Sequence, residues 1–560
     1  MSDTTPHSAS PSAPANTTFA GAAAVFQGLP RKQLIGVIVG VVCGLLLASL
    51  DQTIISTALP RIVSDLGGID QLPWVATAYM LTSTAGIPIW GKLSDIYGRR
   101  GFFIIGMVIF IVGSALCGAA QNMAWLIVCR GIQGIGGGMM FSLAFAIVSD
   151  LFPPAQRAKW QGVFGSVFAI ASAIGPFAGG ILTDNLSWHW VFYVNLPLGF
   201  LALAIFMRTM PHMPRRTKQT YIDYSGVACL LASIMPLLLA LSLGGRTYAW
   251  SSPQIVVMLV VSGVMAIAFI LNELRAKDPL LPLTLFKSSI YTVSMISVFL
   301  TGIAMFGALV FVPLFVQGVV GTSATRSGVV LTPMSVSITV GAMLSGQIIG
   351  RTGRYRAQAV AGPILMLIGG IFMTQIDESA TNGVVIRNMT LMGFGLGMTF
   401  PIFLIAVQNA FPHSVLGVVT SSVQFSRNIG GTVGVAILGA VLNTRLDHLL
   451  IANTPAEVTQ RIPAAELASL TKAESLVNPS ALASVQARFD RLGPDGPALY
   501  DSFTVGLKAS LAESIAFVFI ISTVFVALSA ISGLFLKELK LRSSYSEPAA
   551  ETAPDHSRRR

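Results

Sequence analysis

Long apolar runs alternate with short polar breaks along almost the whole of this 560-residue chain. The runs fall near 34–58, 73–91, 101–120, 124–148, 160–183, 190–208, 224–243 and 254–272, and again near 290–317, 327–349, 357–376, 386–408, 415–442 and 510–536. An apolar stretch of about 18 or more residues reads as a helix that crosses a bilayer. The pattern therefore predicts an all-α membrane protein of about fourteen transmembrane helices.

The breaks carry the basic residues unevenly. Lys92, Arg99, Arg100, Arg157, Lys159, Arg215, Arg216, Lys218, Arg275, Lys277, Arg351, Arg354, Arg356, Lys537, Lys540 and Arg558–Arg560 fall on one side of an alternating topology. The opposite short loops hold only Arg61, Arg246 and Arg326, with Arg387 at a boundary. Lys and Arg are retained in cytoplasmic loops, so both termini are expected in the cytoplasm of a multi-pass plasma-membrane protein. The break from Thr444 to Ala509 is long, lies outside, and mixes Ala, Leu and charge in the manner of short amphipathic helices.

Composition agrees: 53% of residues are hydrophobic and 11% charged, against about 25% charged in soluble domains. The net charge of +11 sits in loops rather than in a basic stripe with interleaved aromatics, so no nucleic-acid partner is expected. Cys43, Cys117, Cys129 and Cys229 lie singly inside apolar spans, which argues against disulfides and against a metal site. Residues 1–30, rich in Ser, Ala, Pro and Thr without a basic start, read as a disordered cytoplasmic tail rather than a signal peptide. The stretch Gly86-Ile-Pro-Ile-Trp-Gly91-Lys92-Leu93 imitates a phosphate loop, but it lacks the final hydroxyl residue and begins inside a membrane helix. No nucleotide, cofactor or enzymatic activity is expected.

A weak repeat organises the chain. Gly91-Lys-Leu-Ser-Asp95-Ile-Tyr-Gly98-Arg99-Arg100 follows the second run, and Gly346-Gln-Ile-Ile-Gly350-Arg-Thr-Gly353-Arg354-Tyr-Arg356 follows the tenth. If these correspond, two six-helix halves surround a central path, a known transporter plan. The division is then a tail at 1–30, a first half at 31–210, two inserted helices at 211–288, a second half at 289–443 completed by 510–540, the outer loop at 444–509 and a disordered cytoplasmic tail at 541–560. The inserted pair is expected outside the path, with no acid within its spans.

The loop at Gly91–Arg100 resembles the helix two–three motif of the major facilitator superfamily, and the resemblance covers roughly residues 34–540. Leu50-Asp51-Gln-Thr53-Ile-Ile-Ser-Thr-Ala58-Leu-Pro60, Arg130-Gly-Ile-Gln133-Gly134-Ile-Gly136-Gly137-Gly138, Gly175-Pro176-Phe-Ala-Gly179-Gly180 and Trp188-His-Trp190-Val-Phe192-Tyr-Val-Asn195-Leu-Pro197-Leu-Gly199 are similar to the fourteen-helix drug:proton antiporter branch. The resemblance implies a proton-coupled multidrug exporter of lipophilic or cationic small molecules, working by alternating access and powered by the proton gradient alone. It marks Gly175, Pro176, Gly179 and Gly180 as an antiporter motif. Gly350 stands where the first loop has Asp95, and the tenth run carries no acid, which makes divalent cations a less suitable cargo. Export of lipids or lipid precursors, metabolite/proton symport, and a non-transporting receptor or scaffold are the competing readings.

Within this frame Asp51 is costly as an ion, by about 2.5–3.5 kcal/mol at the centre of a span. It lies roughly 13 Å below Pro60, while Arg130 lies roughly 9 Å below Ala124, so the two share a depth on helices that start and end at opposite faces. They are candidates for proton coupling or for a static pair. Gly91, Asp95, Gly98, Arg99, Arg100, Asp150 and Arg157 gather at the cytoplasmic ends of helices two to five, as gate or as ordinary anchoring charges; Asp95 is further expected to face the positive N-terminus of a helix in the other half. Gln133, Phe306, Phe311, Phe394, Met398 and Phe403 are candidates for an apolar solute cavity. Arg427 sits mid-helix without an evident acidic partner, either lining the path or neutralising carbonyls. Glu513 is expected at the outer interface.

Overall fold

The computed structural model describes residues 30–67, 71–211, 221–245, 247–322, 324–412, 415–454, 457–458, 479–491 and 495–541. The expected tails lie outside the described residues save Pro30 and Leu541, as do Arg215, Arg216, Lys218 and Arg246, most of 455–478, and the side chains of Lys159, Pro176 and Arg326.

The first six apolar runs become α1 (Arg31–Leu66), α2 (Leu72–Tyr97), α3 (Arg99–Gly118), α4 (Met123–Leu151), α5 (Pro154–Asn185) and α6 (Trp190–Thr209), the last interrupted at Val194. The next two are α7 (Tyr224–Leu243) and α8 (Pro253–Arg275). Then come α9 (Ser289–Gly318), α10 (Ala324–Thr352), α11 (Arg356–Met373), α12 (Asn382–Ala410), α13 (Leu416–Asn453), the short α14 (Pro479–Asp490) and α15 (Gly496–Leu534). Among the described residues, twelve are long and apolar enough to cross a membrane; α2 and α5, of 26 and 32 residues, are the other two long helices.

Two expected limits move. The 444–509 segment is helical at both ends, because α13 runs on to Asn453 and α15 starts at Gly496. Leu446 and Leu450, one turn apart, pack with Leu499, Phe503 and Leu507 and with Phe489 of α14, so these helix extensions share an apolar core. The inserted pair is not free of acids either: α8 extends past 272, and Glu273 in its last turn is buried, accepting from the backbone N–H of Leu281 at 3.1 Å.

Helix pairing recurs. The pairs that recur are α1 with α4, α5 and α6, α2 with α4, and α3 with α4 and α6 in the first group, and α9 with α12, α13 and α15, α10 with α12, and α11 with α12 and α15 in the second. The groups meet through α2–α13 and α5–α10.

Glycine explains the pairing better than apolarity does. Gly134, Gly136 and Gly138 on α4 have the same spacing as Gly393, Gly395 and Gly397 on α12. A methyl group on Gly138 would lie 2.8 Å from the Cα of Ser83 on α2, and one on Gly397 would lie 2.8 Å from the Cα of Ile338 on α10. On the opposite faces, Gly136 would meet the Cα of Phe110 on α3 at 2.9 Å, and Gly395 the carbonyl carbon of Leu365 on α11 at 2.9 Å. Small residues are the usual means of bringing membrane helices backbone to backbone. This repeat is stronger than the loop correspondence read from the sequence.

Burial places the helices in layers. In their apolar windows α4 is 78% buried and α12 83%, against 17% for α8. Val257, Val260, Val264, Ile267 and Leu271 of α8 form an exposed stripe at helical spacing, as a lipid-facing helix requires. The other face of the pair is held by α7, whose Leu230, Ile234 and Leu238 pack on Ala85 and Ile89 of α2 and on Phe425 and Ile429 of α13. Lys92 of α2 adds an ion pair of 2.5 Å to Asp278, just after α8. At the end bearing Asp95 a single apolar core spans both groups; at the other end each group has its own.

Candidate functional site

Asp51 and Arg130 come together, as their common depth requires. Arg130 Nη1 donates to Asp51 Oδ2 at 2.5 Å, and both side chains are 1% exposed. The other carboxylate oxygen accepts from Gln133 Nε2 at 2.8 Å and from Asn195 Nδ2 at 3.0 Å. Arg130 also donates to Gln133 Oε1 and, through Nε, to the carbonyl of Val75 on α2. Its guanidinium lies 4.4 Å from the centroid of the Tyr79 ring. Each oxygen of a buried carboxylate is thus matched by a donor, which is what allows an ion to persist away from water.

Two members differ from expectation. Gln133, expected in the solute cavity, is fully buried inside this cluster: it lies three residues after Arg130, on the same face of α4, and so meets the same acid. Asn195 carried no assigned role. It stands where α6 restarts after Val194, and its amide bridges Asp51 to Ser114 of α3. A fully buried amide at a helix break inside a membrane was the available signal.

Beside the cluster lies a cavity with about 150 Å³ of water-accessible space, lined by α1, α2, α4, α5, α9, α10, α12 and α13. Neither α7 nor α8 contributes to it. Tyr79 belongs to its wall, with Arg130 on the ring's face, and Gln52, next in sequence to Asp51, faces the space. Phe306 lines it, together with Met305 and Phe400. Phe311, Phe394, Met398 and Phe403 do not. On α12 the cavity face is set by Leu396 and Phe400, four residues apart; Met398 is turned about 200° from Phe400 and Phe394 about 120°. Phe403 belongs to the core shared by both groups, and Phe311, about 140° from Phe306, to the apolar core of the second.

Arg427 of α13 also lines the cavity while only 5% exposed. Its guanidinium lies 3.8 Å from the centroid of the Phe400 ring, and Nη1 donates to Gln424 Oε1 at 2.6 Å. No ion pair to it occurs among the described residues.

At the C-terminal end of α2, Arg99 donates to Asp95, to Asp150 Oδ2 at 2.9 Å and to Ser94 Oγ at 2.5 Å, all nearly buried. Asp95 Oδ2 accepts the backbone N–H of Val418 in the first turn of α13, at 3.1 Å. The acid therefore faces the positive end of a helix in the other group. Gly91 allows this approach, since a methyl there would lie 2.9 Å from the carbonyl of Gly417. Gly98 joins α2 to α3 at φ +99°, a conformation suited to glycine. Arg157 donates to the carbonyls of Ser149 and Phe152 and so closes the C-terminus of α4 beside Asp150. Arg100, expected in the same group, has the carbonyl of Met207 on α6 as a partner and serves to tie α3 to α6.

On α5, Gly175 and Gly179 admit α1: a methyl on Gly175 would lie 2.7 Å from Thr53 Cβ, and one on Gly179 3.0 Å from Ile54 Cγ1. Thr53 Oγ1 donates to the carbonyl of Ala171 across the same contact, at 2.9 Å. Gly180 does not share this packing, for nothing lies within 4 Å of a methyl placed there; two glycines in succession face different directions on a helix. Glu513 of α15 is exposed and paired with Arg445 of α13 at 3.0 Å.

The comparisons with known proteins fit this arrangement. Over 530 residues the chain is 40% identical to the multidrug transporter protein MdtP of Bacillus subtilis (strain 168), covering 94% of this chain and 97% of the relative. It is 41% identical over 405 residues to multidrug resistance protein 3 of the same organism, covering 72% and 79%. Among solved structures it resembles the proton:xylose symporter XylE, with a TM-score of 0.55 at 14% identity over 91% of this chain and 97% of that one, a likeness of fold alone. The family model described as Major Facilitator Superfamily matches residues 41–435, and the chain, multi-pass and all-helical, belongs to that superfamily.

Proposed function

We propose that this protein exports small apolar molecules in exchange for protons, by alternating access between two groups of six helices, with both termini in the cytoplasm and α7–α8 as a brace outside the path. The carrying observation is the position of the Asp51 cluster directly behind the cavity wall, with Tyr79 shared by both. Protonation of Asp51 removes the charge that holds Arg130, and Arg130 rests on the ring that solute would touch; a solute that moves Tyr79 acts on the same pair from the other side. The names of the relatives, multidrug transporters, favour export over uptake. The shared apolar core at the Asp95 end and the separate cores opposite fit a carrier closed toward the cytoplasm.

The test is flux in proteoliposomes under an imposed pH gradient, with a panel of apolar dyes and drugs. Accumulation that collapses with a protonophore is the expected result. Equal flux with and without the gradient would sink the proton exchange.

In this scheme Asp95 sets the conformational balance rather than solute affinity. Asp95→Asn weakens charge-assisted hydrogen bonds to Arg99 and to the start of α13, each worth about 1.5–3 kcal/mol. Turnover is expected to fall about tenfold or more with solute affinity nearly unchanged. Equilibrium binding and initial rates measured side by side decide it, and loss of affinity at normal turnover would remove Asp95 from this role.

A further inference from the structure

We propose that Arg427 makes the cavity a site for apolar molecules bearing one anionic group, such as a carboxylate or sulfonate. The inference rests on the exporter reading only for the direction of movement, not for binding.

Arg427 lies eleven residues into α13, roughly 16 Å from Leu416, near the middle of a hydrocarbon core of about 30 Å. A guanidinium at that depth must face water, pair, or meet its partner in a ligand. Asp51 and Arg130 already satisfy one another, and the residues lining the cavity include no Asp or Glu. Arg427 is its sole charged member among the described residues, so the cavity carries one uncompensated positive charge.

The surroundings hold the group in place without neutralising it. The Phe400 ring supports its face, Gln424 Oε1 accepts from Nη1, and the Phe400 carbonyl lies 3.4 Å from Nη2. The guanidinium has five N–H donors and no acceptor. Gln424 turns its oxygen to Arg427, and its buried Nε2 then has no hydrogen-bond partner among the described residues. Of the two, only Arg427 borders the cavity, and its unused N–H groups are the complement of an oxyanion. Asn428, on the next position of α13, and Thr432, one turn further, extend the polar strip along the cavity. Met305, Phe306, Leu309 and Ile338 line the same cavity and suit an apolar body. A cationic solute would meet repulsion here and no acid. This departs from the lipophilic or cationic cargo that the family resemblance implies.

The experiment uses the full-length protein purified in detergent and three probes that share one ring system: 1-naphthaleneacetic acid, 1-naphthaleneacetamide and 1-naphthylethylamine. Binding is measured by calorimetry at pH 7.5, where the first is anionic, the second neutral and the third cationic. The acid is expected to bind about tenfold or more tightly than the amide, and the amine weakest, as one charge-assisted contact would give. Arg427→Gln should bring the acid down to the level of the amide, whereas Arg427→Lys should keep part of the preference. A melting curve for each variant verifies folding, and amide binding retained by Arg427→Gln shows that the cavity survives. Equal binding of acid and amide by the unmodified protein, no binding of the acid, or a preference for the acid that persists in Arg427→Gln overturns the proposal. Flux of the same probes in proteoliposomes is scored separately: an acid that binds through Arg427 but is not driven by the pH gradient overturns proton-coupled export and leaves the anion site standing.

Discussion

Asp51→Asn is expected to abolish pH-driven accumulation of solute while leaving the protein folded in the membrane. The substitution keeps the size of the side chain and an oxygen for Arg130, and removes the one titratable charge of the cluster that can gain a proton. Gln133 and Asn195 now donate to that carboxylate, and both retain other partners, Arg130 and Ser114. The cost is the unpaired guanidinium, about 3–5 kcal/mol when a buried pair loses one member, offset in part by the Tyr79 ring and the Val75 carbonyl. Downhill exchange of solute across the membrane is expected to continue, because the cavity itself is untouched. Accumulation against a gradient, driven by pH in reconstituted vesicles, is the measurement; full accumulation by Asp51→Asn would place the coupling elsewhere.

The second large effect concerns stability. Gly397→Val is expected to prevent α12 from seating on α10, with little folded protein recovered from membranes. Its Cβ would press on the backbone of Ile338, at 2.7 Å from the carbonyl carbon and 2.8 Å from Cα, and backbone has no rotamer with which to retreat. Overpacking of a tight interior costs about 1–3 kcal/mol where side chains can adjust, and more is expected where they cannot. Gly138→Val should do the same at α2, since the two positions are equivalent in the repeat. Gly263→Ala on the lipid-facing α8 is the matched control: nothing lies within 4 Å of the added methyl, so its melting midpoint should be unchanged or slightly raised. Equal recovery of Gly397→Val and Gly263→Ala in fluorescence size-exclusion profiles would contradict the backbone contact.

What was legible in the sequence was what the bilayer dictates. Lipid demands long apolar helices, so the all-helical class and the order of the helices are legible in the sequence, and a charge inside them stands out at once. Asp51 and Arg130 met because depth along a helix is a simple function of residue count. Rotation about the helix axis is less forgiving. Phe394, Met398 and Phe403 lie at the correct height for the cavity and on other faces, and in a helix apolar nearly all round no polar stripe reveals which face is which. Asn195 carries no role in the sequence reading and Gln133 only a place in the cavity, because neutral amides raise no alarm, although a buried amide must find partners as surely as a charge does. Glu273 was lost to a boundary, one residue past the expected end of its run. The glycines of α4 enter the sequence reading only as part of a motif and those of α12 not at all, so the clearest repeat in the chain emerges only with the structure.

Those two glycine ladders bear on how the carrier moves. Where backbone meets backbone there are few soft side chains to compress, so α2, α3 and α4 form one stiff plank and α10, α11 and α12 another. The planks border the other group along α2 against α13 and α5 against α10. The first of these lines is covered from the lipid side by α7, and the pair of Lys92 with Asp278 ties α2 to the segment that follows α8. A ligand or antibody fragment that pinned α7 to α2 and α13 would stop the cycle without entering the cavity, and the resulting block would be insensitive to solute concentration. Inhibition of that kind can be sought on the membrane-facing flank of this protein rather than in its centre.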